Sequence, residues 1–295
     1  MDALDALIRT LALPPAYRQM VDVIHRPAAE RIARRRRDMG HPIVAGLCGT
    51  QGSGKSTMAA FLQVLLEAQG LTTAVLSLDD IYLTLPEREG LARAVHPLLK
   101  TRGVPGTHDT GLGIALMDIL ADGPAEVSMP RFDKAQDTRA DASVWPRVQA
   151  PVDVILFEGW CVGARPQEDA ALAEPVNALE RDEDKDGAWR RYVNERLKTD
   201  YAALFGRIDI LAMLQAPGFE AVFAWRSLQE QKLADKVARE GLIGTRVMNP
   251  DEIRRFLMFY QRITEAVLEE MPARADILMP MTADHRILRV EFRGA

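Results

Sequence analysis

Residues 42–78 read PIVAGLC, GTQGSGKS, TMAAFLQVLLEAQG and LTTAVLSL in succession, and the order of residue types in that stretch decides the fold. The first block is short and apolar without alternation, as in a strand covered on both faces. The third has helical period: Met58, Phe61, Leu62, Leu65 and Leu66 fall on one face, and Gly70 stands where a helix would end. Between them, Gly49-Thr50-Gln51-Gly52-Ser53-Gly54-Lys55-Ser56 fits G-x-x-x-x-G-K-[ST] in the strand-to-helix context this motif requires. Glycines let such a loop fold tightly, so that successive N–H groups face inward at the positive end of the next helix and suit phosphate oxygens. Lys55 is then placed to reach β- and γ-phosphates, the Ser56 hydroxyl to ligate Mg²⁺, and Thr57 to complete the nucleotide-binding set; ATP and Mg²⁺ are the implied cofactors. An ordinary glycine-rich turn is the plain alternative. A dinucleotide loop is a weaker one, because G-x-G-x-x-G would need Gly or Ala where Thr57 stands.

Working outward, TTAVLSL (72–78), VDVILF (152–157) and RIDILAMLQ (207–215) repeat the unalternating apolar pattern, and ADILMPM with RILRVEF reads as a terminal strand pair. Such runs, separated by helical segments, predict an α/β protein: a P-loop NTPase with a doubly wound, mainly parallel sheet flanked by helices. One domain spanning 1–295 is expected, with an N-terminal helical extension (1–41, two helices), a helical insertion (165–205), and lid and C-terminal helices (218–272). Residues 85–110 and 129–150 lack periodicity and read as long loops at the carboxyl ends of the strands, where open α/β sheets bind ligands. The segment ERDEDKDG (180–187) reads as solvated surface, and Arg34 to Arg37 as a helix C-terminus. Phe256, Leu257, Tyr260, Ile263, Val267 and Leu268 recur at helical spacing and read as core.

A formal charge of −5 over 295 residues leaves no basic field, so nucleic acid is not an expected partner. The two cysteines, Cys48 and Cys161, each end an apolar run and imply a reduced compartment. No stretch approaches the roughly 18 apolar residues of a membrane span, and the first residues lack a secretory pattern. A cytoplasmic monomer or homodimer without membrane contact is therefore expected.

The chemistry is read at the strand ends. Asp79, in Ser77-Leu78-Asp79-Asp80-Ile81-Tyr82, would face a γ-phosphate, accept the proton of an attacking hydroxyl and touch the metal's water shell. A turn or helix cap is the alternative role for that acidic pair. Glu158 directly follows VDVILF, a Walker-B-like position for an Mg²⁺ ligand. Arg102, His108 and Asp109 in RGVPGTHD, Arg131 and Lys134 in PRFDK, and Arg139 lie in the long loops; arginine suits a carboxylate, so a small anionic acceptor is implied. Each of these arginines could equally pair with Asp109, Asp133, Asp137 or Asp141 to hold the loops shut, and His108 alone could be structural. Arg226, in WRSLQEQK, is placed to close over ATP as a lid arginine, or else to form an i, i+4 pair with Glu230.

Taken together, GTQGSGKST, SLDDIYLT, RGVPGTHD, MPRFDKAQDTRAD, ILFEGWCVG, WRSLQEQ and MNPDEIRRFLMFY resemble the D-glycerate 3-kinase family of plants, fungi and bacteria. That family sits within the P-loop group that includes phosphoribulokinase, uridine kinase and pantothenate kinase. The resemblance implies phosphoryl transfer from Mg-ATP to a hydroxyl of D-glycerate, with Asp79 as base and metal contact. It implies Tyr82, Arg102, His108, Asp109, Arg131, Lys134 and Arg139 around the acceptor, and Arg226 in the lid. This sequence departs from the family at Asp137-Thr138-Arg139 and at Ile81, which bears on the choice of acceptor. A kinase for another sugar, nucleoside or pantothenate-like acceptor, and a nucleotide-dependent switch or assembly ATPase, are the competing functions.

Overall fold

The computed structural model describes residues 2–123, 125–240 and 247–294. Its main sheet has six strands, numbered here in chain order: β1 Ile43–Gly49, β2 Thr73–Ser77, β3 Val154–Gly159, β4 Ile210–Gln215, β5 Ile277–Pro280 and β6 Glu291–Phe292. They lie in the order β6-β5-β4-β1-β3-β2, all parallel except β6, which pairs antiparallel with β5. The unalternating apolar runs have a direct cause. Along β1, Val44 and Cys48 enter one buried layer while Ile43, Ala45 and Leu47 enter the other. Likewise Ile155 and Phe157 of β3 face one layer, Val154 and Leu156 the opposite one. From β1 the chain crosses to the edge strand β2, returns to β3 beside β1, and then places β4 on the other flank. The crevice above the carboxyl end of β1 is therefore where the winding changes direction, the position at which open α/β sheets take ligands.

The N-terminal extension does form two helical stretches. Ala3–Thr10 is the first; the second runs through Tyr17–Met20, a π-helical turn Val21–His25 and Arg26–Met39, where Gly40 closes it at φ 71°. It packs on the helix Lys55–Glu67, with the His25 ring stacked on Phe61 at 5.5 Å and the Tyr17 hydroxyl 3.0 Å from His25 Nε2. Cys48 and Cys161 are both buried free thiols. Among the described residues, no helix is long and apolar enough to cross a membrane.

Two expectations need correction. Residues 85–110 are not an irregular loop: Leu85–Ala94 is a helix, opened by a capping box in which Thr84 and Glu87 satisfy each other's backbone donors, and Pro97–Lys100 is a 3₁₀ turn. The charged segment 180–187 is not simply solvated. Glu180 is 1% and Asp184 0% exposed, because each carboxylate has an interior guanidinium: Arg262 binds Glu180 through 2.6 and 2.7 Å contacts, and Arg190 reaches Asp184 at 3.0 Å. Glu180 thereby ties the insertion to the helix Pro250–Glu270. On that helix Leu257, Tyr260, Ile263 and Val267 are buried as expected, whereas Phe256 and Leu268 are partly buried.

Candidate active site

The loop after β1 turns through Gly52 at φ +79° and Gly54 at φ +88°, left-handed conformations that an L side chain resists, and the helix begins at Lys55. Gly52 has a second constraint. A Cβ there would stand 2.9 Å from Trp225 Cβ, because the helix Phe219–Glu240 packs on the loop. Trp225 stacks on His285 with ring centroids 4.4 Å apart, and His285 Nε2 donates to the Gly52 carbonyl at 3.0 Å. The segment between β5 and β6 thus braces the glycine loop from outside, a contact that no local motif announces.

Parallel register brings the strand-end acids to this loop. Glu158 of β3 lies beside Leu47 of β1 and Ser77 of β2, one residue before the strand's end. Ser56 Oγ donates to Glu158 Oε1 at 3.0 Å; Glu158 is 4% exposed, and its Oε2 has no hydrogen-bond partner among the described residues. Asp79 follows β2 in a 3₁₀ turn, Leu78–Ile81, and its amide donates to the capping Ser77 Oγ at 3.3 Å. Its Oδ1 accepts from the Tyr82 hydroxyl at 2.8 Å and its Oδ2 from Lys134 Nζ at 2.6 Å. Burial pushes the Asp79 carboxyl up, but the Lys134 and Lys55 ammonium groups and the two hydrogen bonds outweigh it. The net effect holds the carboxyl well below the usual range, as an ionised group.

Lys55, Ser56, Asp79 and Tyr82 line one cleft of about 970 Å³, which Arg226 and Phe256 also line. Gln51, Gly52, Arg102 and Lys134 also line it. Arg226 reaches it while ion-paired to the buried Glu230 and lying 5.6 Å above the Phe256 ring, so the i, i+4 pair and a place on the cleft wall coexist. Arg102 is held by its neighbours: Gly103, at φ +132°, admits the Tyr260 ring where a Cβ would collide, and the Tyr260 hydroxyl donates to the Arg102 carbonyl at 3.2 Å.

The other loop candidates lie off the cleft. Arg131 donates to Asp80 at 3.0 Å; Arg139 donates to Asp109 at 2.8 Å and to the Tyr82 carbonyl at 3.2 Å; and Asp109 caps the helix Thr110–Asp122. His108 is buried, shares a hydrogen bond with the Tyr201 hydroxyl and stacks on Tyr82 at 4.5 Å. Burial pushes its imidazole down to about 3, so it is neutral in the folded chain. Its geometry is that of a support for Tyr82. Gly49, Thr50, Ser53, Gly54 and Thr57 form the strand end, the loop and the helix start but do not themselves line the cleft, and Thr50 Oγ1 and Ser53 Oγ are buried and unpartnered among the described residues. Sequence reasoning missed Arg88, which is 1% exposed and lines the cleft; its only local signal was the capping box that starts its helix.

No family model matches the chain. It is 33% identical over 229 residues to "Uncharacterized kinase mug58" of Schizosaccharomyces pombe, covering 75% of this chain and 79% of that one. It is 30% identical over 245 residues to "D-glycerate 3-kinase, chloroplastic" of Arabidopsis thaliana, 80% of this chain but only 50% of that protein. Among solved structures, D-glycerate 3-kinase from Cryptococcus neoformans var. grubii superposes with a TM-score of 0.72 at 23% identity, over 95% of this chain and 100% of that one, which shows a shared fold. With its glycine loop between strand and helix and its mostly parallel sheet, the chain belongs to the D-glycerate 3-kinase family of P-loop kinases and is an ATP-dependent phosphotransferase acting on an alcohol group.

Proposed function

We propose that the acceptor is D-glycerate and that one of its hydroxyls attacks the γ-phosphorus of ATP in line. The observation that carries this reading is the meeting of Lys55, Ser56 and Asp79 on one cleft whose remaining wall bears Arg102 and Lys134. The acceptor oxygen forms the new P–O bond as the bond from the γ-phosphorus to the β,γ-bridging oxygen breaks. ADP leaves, and Asp79 takes the hydroxyl proton. Lys55 neutralises charge on the β- and γ-phosphates, and Arg226 turns from Glu230 toward the transferring group. For Asp79 to act, Lys134 must yield its 2.6 Å contact, which a hydroxyl entering the site would replace.

The residues also fit Mg²⁺. Glu158 is a buried carboxylate with one oxygen committed to Ser56 and the other unpartnered among the described residues, a hard oxygen pair of the kind this ion prefers. Among the described residues no group of three or more His, Cys, Asp or Glu side chains gathers there, and an ion held by one or two protein oxygens and by phosphate requires none. Bound at Ser56 and Glu158, with Asp79 near its water shell, Mg²⁺ would offset the negative charge of the β- and γ-phosphates.

An acceptor panel decides the substrate. Purified protein with Mg-ATP and D-glycerate, L-glycerate, glycerol, ribulose 5-phosphate, uridine or pantothenate is followed by coupled ADP release. D-glycerate should give the highest kcat/KM. Turnover of another acceptor with none of D-glycerate would replace this reading, and ATP hydrolysis that no acceptor stimulates would point to a switch ATPase.

A further inference from the structure

Arg88 is an interior guanidinium on the cleft wall, and burying such a charge is costly unless it is paired. Its Nε donates to the Leu83 carbonyl at 3.1 Å and its NH1 to the Lys100 carbonyl, which fix the plane of the group. The remaining nitrogen, NH2, meets Asp137 Oδ2 at 2.8 Å and the Asp137 carbonyl at 3.0 Å. Arg102 takes the other oxygen, Oδ1. One carboxylate is thus shared, oxygen by oxygen, between two guanidinium groups, the arrangement that recognises a carboxylate ligand.

The carboxylate occupying this cradle comes from a short, partly exposed hairpin. Asp137 is at φ +54°, its side chain is 31% exposed, and it sits at the tip of a hairpin whose strands, Phe132–Asp133 and Thr138–Arg139, are two residues each. The same tip carries Lys134, whose ammonium rests on Asp79. A single short hairpin therefore sets a cation on the strand-end carboxylate and an anion on the guanidinium pair. A hydroxy acid would meet the same two places with its hydroxyl and its carboxylate. The turn Leu78–Ile81 that holds Asp79 is followed after three residues by the helix that holds Arg88, and the bond from Arg88 Nε to the Leu83 carbonyl ties that connection to the helix.

Resting on the reading of the chain as a hydroxy-acid kinase, we propose that Arg88 and Arg102 form the subsite for the acceptor's carboxylate, and that Asp137 is an internal carboxylate which the acceptor displaces. Steady-state kinetics with D-glycerate and ATP varied separately test this in Arg102→Ala and Asp137→Asn, whose side chains are partly exposed, and in Arg88→Lys as far as it folds. Arg102→Ala should raise the acceptor KM about tenfold or more with the ATP KM within about twofold. Asp137→Asn should lower the acceptor KM severalfold, because the internal competitor is gone. A raised or unchanged acceptor KM in Asp137→Asn, or equal changes in both KM values in Arg102→Ala, would overturn the proposal. Should the wild type turn over no hydroxy acid, the functional reading falls separately. The subsite is then tested by thermal shift with millimolar D-glycerate or lactate: a larger rise in Tm for Asp137→Asn than for wild type supports it, and equal or no rise overturns it.

Discussion

Replacing Asp79 with asparagine isolates its charge from its shape. The amide oxygen can still accept the Tyr82 hydroxyl that now donates at 2.8 Å, and the volume of the side chain is unchanged. What disappears is the negative charge facing Lys134 and Lys55 and the ability to take a proton. Lys134 is 60% exposed, so solvent limits the cost of losing its partner to about 1 kcal/mol or less, a shift in Tm of only a few degrees. The catalytic loss is much larger. A positioned base contributes about 10²- to 10⁴-fold, so kcat with D-glycerate should fall by that factor, equivalent to about 3–5 kcal/mol of barrier, while the ATP Kd stays within about threefold. Coupled ADP release at saturating substrates gives kcat, and calorimetric titration gives the Kd. The pH profile adds a separate check. Because the Asp79 carboxyl is held well below the usual range, its protonation should not limit kcat/KM in the free enzyme until pH falls below the ordinary carboxylate region. In Lys134→Met that acid limb should move upward, since the largest favourable charge has been removed. Near-normal kcat in Asp79→Asn would refute the assignment of the base.

The remaining predictions concern the frame of the site. Gly52→Ala combines a left-handed backbone with a Cβ 2.9 Å from Trp225 Cβ; it should cost about 1–2 kcal/mol and raise the ATP KM more than the acceptor KM, as measured by thermal unfolding and kinetics. Arg262→Met would strand the buried Glu180 carboxylate and should destabilise the fold by about 3–5 kcal/mol in chemical denaturation, whereas the paired change Arg262→Met with Glu180→Leu should recover much of that loss. Burial pushes His25 down to about 4 from its usual 6.5, so the unfolded chain binds a proton that the folded chain refuses. Its stabilisation is complete above pH 6.5 and fades as pH falls toward 4, by up to about 1.4 kcal/mol per unit; His25→Phe should flatten that slope in Tm measured against pH.

The legible parts of the chain were those whose meaning is local. Unalternating apolar runs gave the parallel sheet because both faces of β1 and β3 are covered, and the glycine loop was readable because its strand end, its turn and its helix start are consecutive residues. Asp79 and Glu158 could be singled out because each stands at the end of such a run, and parallel register carries those ends to one rim. The helix Leu85–Ala94 was equally local, announced by Thr84 and Glu87, and was overlooked because Pro, Gly and Arg dominate its surroundings.

Charge pairing was not legible, because it depends on which distant segments meet. Arg102, Arg131 and Arg139 are alike in sequence, yet only Arg102 lines the cleft; Arg131 and Arg139 are drawn aside by Asp80 and Asp109. Glu180 lies in an acidic stretch that looks solvated and is nevertheless interior, because Arg262, 82 residues away, follows it there. Sequence by itself determined the nucleotide loop, the sheet and the acids at its rim, all set by backbone geometry over a few residues. Tertiary structure alone decided which cations face the cleft, since the cost of burying a charge is settled only by the partner that arrives from elsewhere in the chain.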